Sequence, residues 1–266
     1  MQSISQTCVF PTNYGRQTYL NCGGEEFNIH KPNLNEWDLV DADTPQVGGR
    51  SRLANYSTKS GAVEVVFRDI EKRLIEEINK SQSVVGCVAW LTSAPVLGAL
   101  RGKLCQIVVQ KEDFLRPDMG AQSNWKSSLR EKYAALNDGD FIDRYSLPEP
   151  IPSMSYGGDT CIEAVRCVGN YNRAKSPAFP RMHNKFLVLG RLIPAEGGGS
   201  KVSPEMVWTG SFNITKNAGY SLENALIIRD PKIVDAYASE YAQIVGLSEP
   251  LDWQSDWCSP EFRLGT

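Results

Sequence analysis

Two apolar, β-rich runs place the strongest constraint on what this chain can fold into. Ser83 to Leu91 and Leu104 to Val109 each read as a buried strand. Between them, Ala94 to Leu100 reads as a short helix with Ser93 as its N-cap. Strand, helix and strand in that order form a β-α-β unit whose two strands run parallel. Just before this unit, apolar residues at Val66, Phe67, Ile70, Leu74, Ile75 and Ile78 have helical spacing, which predicts a helix from Val65 to Ile78.

The remaining pattern extends the same architecture. Trp125 to Leu136 predicts a helix and Val165 to Val168 a strand. Further strands are expected at Phe186 to Leu189, Met206 to Thr209 and Ala225 to Ile228. Asp230 then caps a helix that Pro231 opens and that runs to about Val245, where Gly246 stops it. The expected fold class is α/β, a mixed and largely parallel β-sheet flanked by helices on both faces. Residues 1–60 have weak periodicity and many turn formers, and are expected to form an irregular N-terminal extension. The regular domain is expected over 61–246. Residues 247–266 form a tail, with Trp253 and Trp257 packed on the body. Gly197-Gly198-Gly199-Ser200 reads as a flexible loop tip.

Composition narrows the class. With 266 residues, 41% of them hydrophobic and 22% charged, the chain is of globular type and can bury a sizeable core. No apolar run approaches the roughly 20 residues of a membrane helix. The first six residues lack the basic and apolar regions of a signal peptide. The expectation is a soluble, cytoplasmic protein with no membrane partner. Seven cysteines, an odd number with no Cys-x-x-Cys spacing, fit reduced structural thiols. Net charge is −3, yet residues 164–217 carry eight basic and two acidic side chains. That asymmetry suits a surface built for an anion, and an ordinary solvated loop region accounts for it equally well.

Chemistry-bearing residues gather after Phe179. His183 and Lys185 are two apart at the start of one predicted strand, so they project to the same face. Ser211 and Asn213 repeat that spacing after Gly210, which lets backbone approach a ligand closely. Glu223 precedes the third strand. On adjacent strands these five side chains would converge on one small volume. A histidine can attack phosphorus and carry a phosphoryl group. A lysine, a hydroxyl and an amide can hold its oxygens. A glutamate bonded to one imidazole nitrogen would fix the tautomer of the other. One carboxylate is too few for a hard-metal site, so neither a metal nor another cofactor is expected. Taken singly, each residue has a plainer reading: a core histidine satisfied by a carbonyl, a lysine at a strand edge, a turn, a surface acid.

In order and spacing, His183-x-Lys185, Gly210-Ser211-Phe212-Asn213 and the downstream Glu223-Asn224 resemble the signature of the phospholipase D superfamily. The resemblance covers 61–246. It departs from the signature at Gly190, where the family carries an aspartate, and in the 28 positions from His183 to Ser211, which imply a surface insertion. The resemblance implies a phosphodiesterase in which one histidine attacks phosphorus and a second protonates the leaving oxygen. This chain has a single copy of the motif, because His30-Lys31-Pro32 is not a second one. The resemblance therefore implies a homodimer in which two copies of His183 face each other. The expected substrate is nucleic acid, DNA or RNA. Tyr171, Arg173, Lys175 and Arg181, interleaving rings and cations, and Lys216 are the candidate binding residues. Alternatives are a phospholipase D-type lipid hydrolase or phosphatidyltransferase, and a nucleic-acid-binding module without turnover. Residues 1–60 are a candidate docking segment for a further protein partner.

Overall fold

The computed structural model describes residues 18–20, 26–28, 34–36, 38–40, 50–52, 54–112, 124–136, 142–143, 146–148, 154–155, 161–171, 181–196, 198–252 and 263–264. The chain divides into two compact units, Met1–Ala54 and Asn55–Thr266. In the first unit, Thr18–Leu20 pairs antiparallel with Glu26–Asn28, and Asp38–Val40 with Arg50–Arg52. His30 lies outside the described residues, as do Trp253 and Trp257.

The second unit is organised by an eight-stranded sheet. Its strands in chain order are β1 (Thr58–Ser60), β2 (Val63–Val66), β3 (Ser83–Val88), β4 (Leu104–Gln110), β5 (Val165–Val168), β6 (Lys185–Pro194), β7 (Ser200–Gly210) and β8 (Ala225–Ile228). Across the sheet they lie in the order β5-β4-β3-β6-β7-β8-β2-β1. Helices α1 (Ile70–Lys80), α2 (Ala94–Leu100), α3 (Asn124–Ala134) and α4 (Pro231–Gly246) cover it.

The α/β class and the mixed sheet agree with the sequence reading, but the balance of pairing does not. Only β5 with β4 and β4 with β3 are parallel, and the other five pairs are antiparallel. The β-α-β unit supplies the parallel part. The rest comes from hairpins that alternate direction, and a strand's own residues do not specify its neighbour's direction. The right-handed rule for such crossovers would put the helices of β2-α1-β3 and β3-α2-β4 on one face, and α1 and α2 do pack together. Ser93 Oγ joins these helices by donating to Glu71 Oε2 at 2.6 Å, and it also accepts from Val96 N as the N-cap of α2. Helix α4 covers the opposite face, where Tyr237 packs on Phe186 of β6 and the Tyr241 hydroxyl donates to Gln106 of β4. With both faces covered, β3 is buried at every position.

The helix expected from Val65 begins at Ile70 instead. Val63–Val66 is strand β2, paired with β8, and Asp69 takes a left-handed conformation at the helix start. Val66 and Phe67 matched a helical period by coincidence, and the β-branched run won through sheet pairing. From Ile70 onward the spacing holds, since Leu74 and Ile78 are fully buried and contribute about 1.5–3 kcal/mol each. Glu77 is buried on the same face and receives Arg73, Lys80 and Arg229.

Strands β6 and β7 are longer than expected. The segment read as a loop insertion is a hairpin whose pairing runs out to Pro194↔Ser200, with a bulge at Leu189/Gly190. The aspartate position of the motif falls on this bulge. A Cβ at Gly190 would lie 2.2 Å from the Ser203 carbonyl oxygen, so the close approach of β7 excludes any side chain there. Helix α4 starts as expected, with Asp230 accepting from Lys232 N and Ile233 N. It runs through Gly246 and ends where Ser248 turns back to the Val245 carbonyl.

Candidate active site

Register brings the motif residues to one end of the sheet. Phe186 pairs with Thr209, and Gly210 pairs with Ala225. Thr209 Oγ1 donates to the Lys185 carbonyl at 3.2 Å. The start of β6, the end of β7 and the start of β8 are therefore level, and His183, Ser211 and Glu223 lie just beyond them. This is also the C-terminal end of the parallel strands β3 and β4, where open α/β sheets place their ligands.

His183 is exposed, and Lys185 is half-buried beside it. The Lys185 ammonium lies 3.3 Å from Nδ1 and 3.4 Å from Nε2 of His183, and donates to the His183 carbonyl at 3.2 Å. Partial burial lowers the imidazole pKa from its ordinary value, and the charges of Lys185 and Arg181 lower it further. Burial also lowers the Lys185 pKa, while the Glu223 carboxylate acts in the opposite direction.

Ser211 and Glu223 form a second pair. The Ser211 hydroxyl donates to Glu223 Oε2 and accepts from Asn224 N at 3.1 Å, while Ser211 N donates to the Asn224 carbonyl. Gly210 makes this turn possible. Its φ is 152°, and a Cβ there would meet the Asn224 oxygen at 2.3 Å. Asn213 is half-buried, and its Oδ1 is enclosed without a hydrogen-bond partner. The next residue, Ile214, accepts from Thr92 N and Ser93 N, which ties this loop to the end of β3.

The glutamate contact differs from the sequence reading. Glu223 holds the Ser211 hydroxyl rather than an imidazole nitrogen, because the β7–β8 turn brings these two residues face to face. Among the candidate binding residues, Arg181 and Lys216 are exposed. Tyr171 is half-buried and packs against the core, unlike a free stacking ring. Arg173 and Lys175 lie outside the described residues. The basic excess of 164–217 also divides. Arg166 is buried against Glu163 and Ser248, and Arg191 pairs with Glu205 on the hairpin. They do not form one face with Arg181.

Sequence reasoning missed the residues that hold the His183 segment. Asn184 O accepts from Ala89 N at 2.9 Å, and Gln110 Oε1 accepts from Met182 N at 2.7 Å. The Trp90 ring stands edge-to-face with His183, with centroids 5.4 Å apart and planes at 81°. Trp90 Nε1 donates to Glu112 Oε1 at 3.2 Å. The available signal was position alone, since Trp90 and Glu112 each lie two residues past the end of a parallel strand. A cleft of about 430 Å³, lined by Glu77, Arg191, Glu205 and Arg229 among others, lies at the opposite strand end around the bulge. Among the described residues there is no group of three or more His, Cys, Asp or Glu side chains placed to share a metal ion, and no helix long and apolar enough to cross a membrane.

The fold and site define a mixed α/β protein with a histidine–lysine pair at its strand ends. Uncharacterized protein L381 of Acanthamoeba polyphaga mimivirus is 32% identical over 217 residues, covering 77% of this chain and 73% of that protein. The chain belongs to the same family as that protein. No family model matches the sequence. Among solved structures, the chain is similar to Nuc from Salmonella typhimurium, a phospholipase D family member, with 17% identity, a TM-score of 0.42, and coverage of 73% of this chain and 98% of that one. It is also similar to NucT from Helicobacter pylori, with 15% identity, a TM-score of 0.44, and coverage of 71% and 98%.

Proposed function

We propose that the chain is a phosphodiesterase of the phospholipase D type, a nuclease that cleaves DNA or RNA through a phosphohistidine, without a metal ion, at a site completed by a second copy of the chain. The observation that carries this reading is an exposed imidazole with an ammonium at its ring, on the strand end that also holds Ser211, Asn213 and Glu223. A ring nitrogen of neutral His183 attacks phosphorus, and the P–N bond forms as the ester P–O bond breaks. The leaving oxygen takes its proton from the second imidazole, His183 of the other copy. That imidazole then draws a proton from water, whose oxygen displaces the His183 nitrogen. Acid–base assistance of this kind is worth roughly 10²–10⁴-fold, so a single ring would leave the reaction slow.

The other groups act on charge. Lys185 and the Asn213 amide hold the nonbridging oxygens. The Glu223 carboxylate fixes the Ser211 hydroxyl and supports the charged state of Lys185. Arg181 and Lys216, both exposed, would follow the phosphate backbone, with Arg173 and Lys175 assigned to the same role from sequence.

The test is incubation in EDTA with labelled single- and double-stranded DNA, RNA and a phospholipid, using wild type and His183→Ala. Cleavage of a nucleic acid by wild type alone is expected. Turnover retained in His183→Ala, or a strict need for added magnesium, overturns the reading, and cleavage of the lipid alone reassigns the substrate.

A further inference from the structure

We propose that Trp90, held by Glu112, is a positioning residue that sets the orientation of the His183 ring. This rests on the phosphohistidine reading for its catalytic consequence, but not for its geometry. The segment carrying His183 is fixed on both sides by backbone contacts. Asn184 is bonded to Ala89, and Met182 to the Gln110 side chain. These contacts place the His183 Cα and leave its side-chain torsions free. The ring is exposed and precedes β6, so sheet packing does not restrain it.

Its polar neighbours do not choose between its two nitrogens either. The Lys185 ammonium is nearly equidistant from the two ring nitrogens, at 3.3 and 3.4 Å, and so does not single out either one. The carboxylate that could have selected one nitrogen, Glu223, is engaged with Ser211. Trp90 supplies a directional surface. Edge-to-face at 5.4 Å and 81° is a preferred aromatic geometry, and rotating either ring about its side-chain torsions breaks it. The indole is itself restrained, because its Nε1 donates to Glu112 Oε1. Trp90 follows β3 and Glu112 follows β4, and these are parallel neighbours with Val88 opposite Val109. The brace therefore spans two adjacent strand ends.

The experiment is side-chain NMR of histidine-labelled protein alongside steady-state kinetics, for wild type, Trp90→Phe, Trp90→Ala and Glu112→Ala. His183→Gln assigns the resonance, because the chain has two histidines. Three-bond couplings should show one dominant His183 rotamer in wild type and Trp90→Phe. They should show averaging in Trp90→Ala and, to a smaller extent, in Glu112→Ala. In parallel, kcat should fall roughly tenfold to a hundredfold in Trp90→Ala, with KM changed less than about twofold, and Trp90→Phe should recover most of the loss. If Trp90→Ala does not fold, Glu112→Ala carries the test. Unchanged couplings in the folded variants overturn the proposal. A wild-type protein inactive on every phosphodiester would overturn the nuclease reading instead, and the couplings would still decide what orients the ring.

Discussion

The ammonium of Lys185 stands 3.3 Å from Nδ1 and 3.4 Å from Nε2 of His183, so a proton added to either nitrogen meets a positive charge at close range. Partial burial first, then this ammonium and the Arg181 charge, lower the imidazole pKa below the ordinary value of 6.5. A lowered pKa keeps the ring neutral, and thus nucleophilic, further into acid. The acid limb of kcat/KM should therefore fall below pH 6.5. Arg181→Gln removes one of the charges and should move that limb, and the His183 NMR titration, upward. An unchanged titration would mean that Arg181 does not act on the ring.

Ser211 and Glu223 should behave as one unit. Glu223→Gln removes the charge that supports the Lys185 ammonium, so the Lys185 pKa, followed by NMR titration of its side chain, should drop further. Losing an oriented hydroxyl and its acceptor should cost roughly 10–10³-fold in kcat. Because the Ser211 hydroxyl already donates to Glu223, Ser211→Ala and Glu223→Gln should combine to less than the product of their separate effects. Strictly multiplicative losses in the double variant would show that the two act separately.

Much of the sheet was legible because its strands are short apolar runs with clear boundaries. Ala225–Ile228 and Val165–Val168 coincide with their predicted limits, as does helix Ala94–Leu100 with its Ser93 cap. Pairing direction was not legible, since β6, β7 and β8 look alike whether their neighbours run parallel or antiparallel. Val65 to Phe67 misled because a strand ending three residues before a helix produced one continuous apolar period. The motif residues could be read from their order and spacing. Yet only Lys185 lies within a strand; His183, Ser211, Asn213 and Glu223 stand just beyond strand ends, where no pleat fixes their direction. Trp90, Gln110 and Glu112 could not be read. Gln110 meets Met182 across 72 positions, Trp90 meets His183 over a comparable span, and Glu112 acts through Trp90 across 22, separations that no local pattern encodes.

Gly190 separates motif resemblance from structural necessity. Introducing the aspartate of the signature that the motif resembles, with Gly190→Asp, should not improve activity. It should destabilise the fold by at least about 2 kcal/mol, because the new Cβ would meet the Ser203 carbonyl oxygen at 2.2 Å. Gly190→Ala should show most of the same loss, since the clash arises at Cβ. Urea denaturation of the two variants measures it, and a neutral Gly190→Ala would mean that β7 can move away from the bulge.

The charged cluster beside α1 makes a stability prediction with a definite sign in pH. Glu77 is 5% exposed and accepts from Arg73, Lys80 and Arg229, while Arg73 also reaches both oxygens of Glu64. The hydrogen bond from Arg73 holds the Glu64 carboxyl below its ordinary value. Burial raises that of Glu77, but its bonds to Lys80 and Arg73 prevail and lower it. A carboxylate with a lowered folded pKa contributes stability that is fully present above its unfolded pKa, near 4.5, and is lost as pH falls through the folded value. Glu77→Gln leaves three cations facing an amide, and should cost roughly 2–4 kcal/mol at pH 7, less than a fully buried pair because its partners are partly solvated. The same variant should lose less stability than wild type between pH 5 and pH 3, having one fewer carboxylate to protonate. Denaturation midpoints at both pH values decide it. Parallel acid losses in the two proteins would place the acid sensitivity elsewhere in the fold.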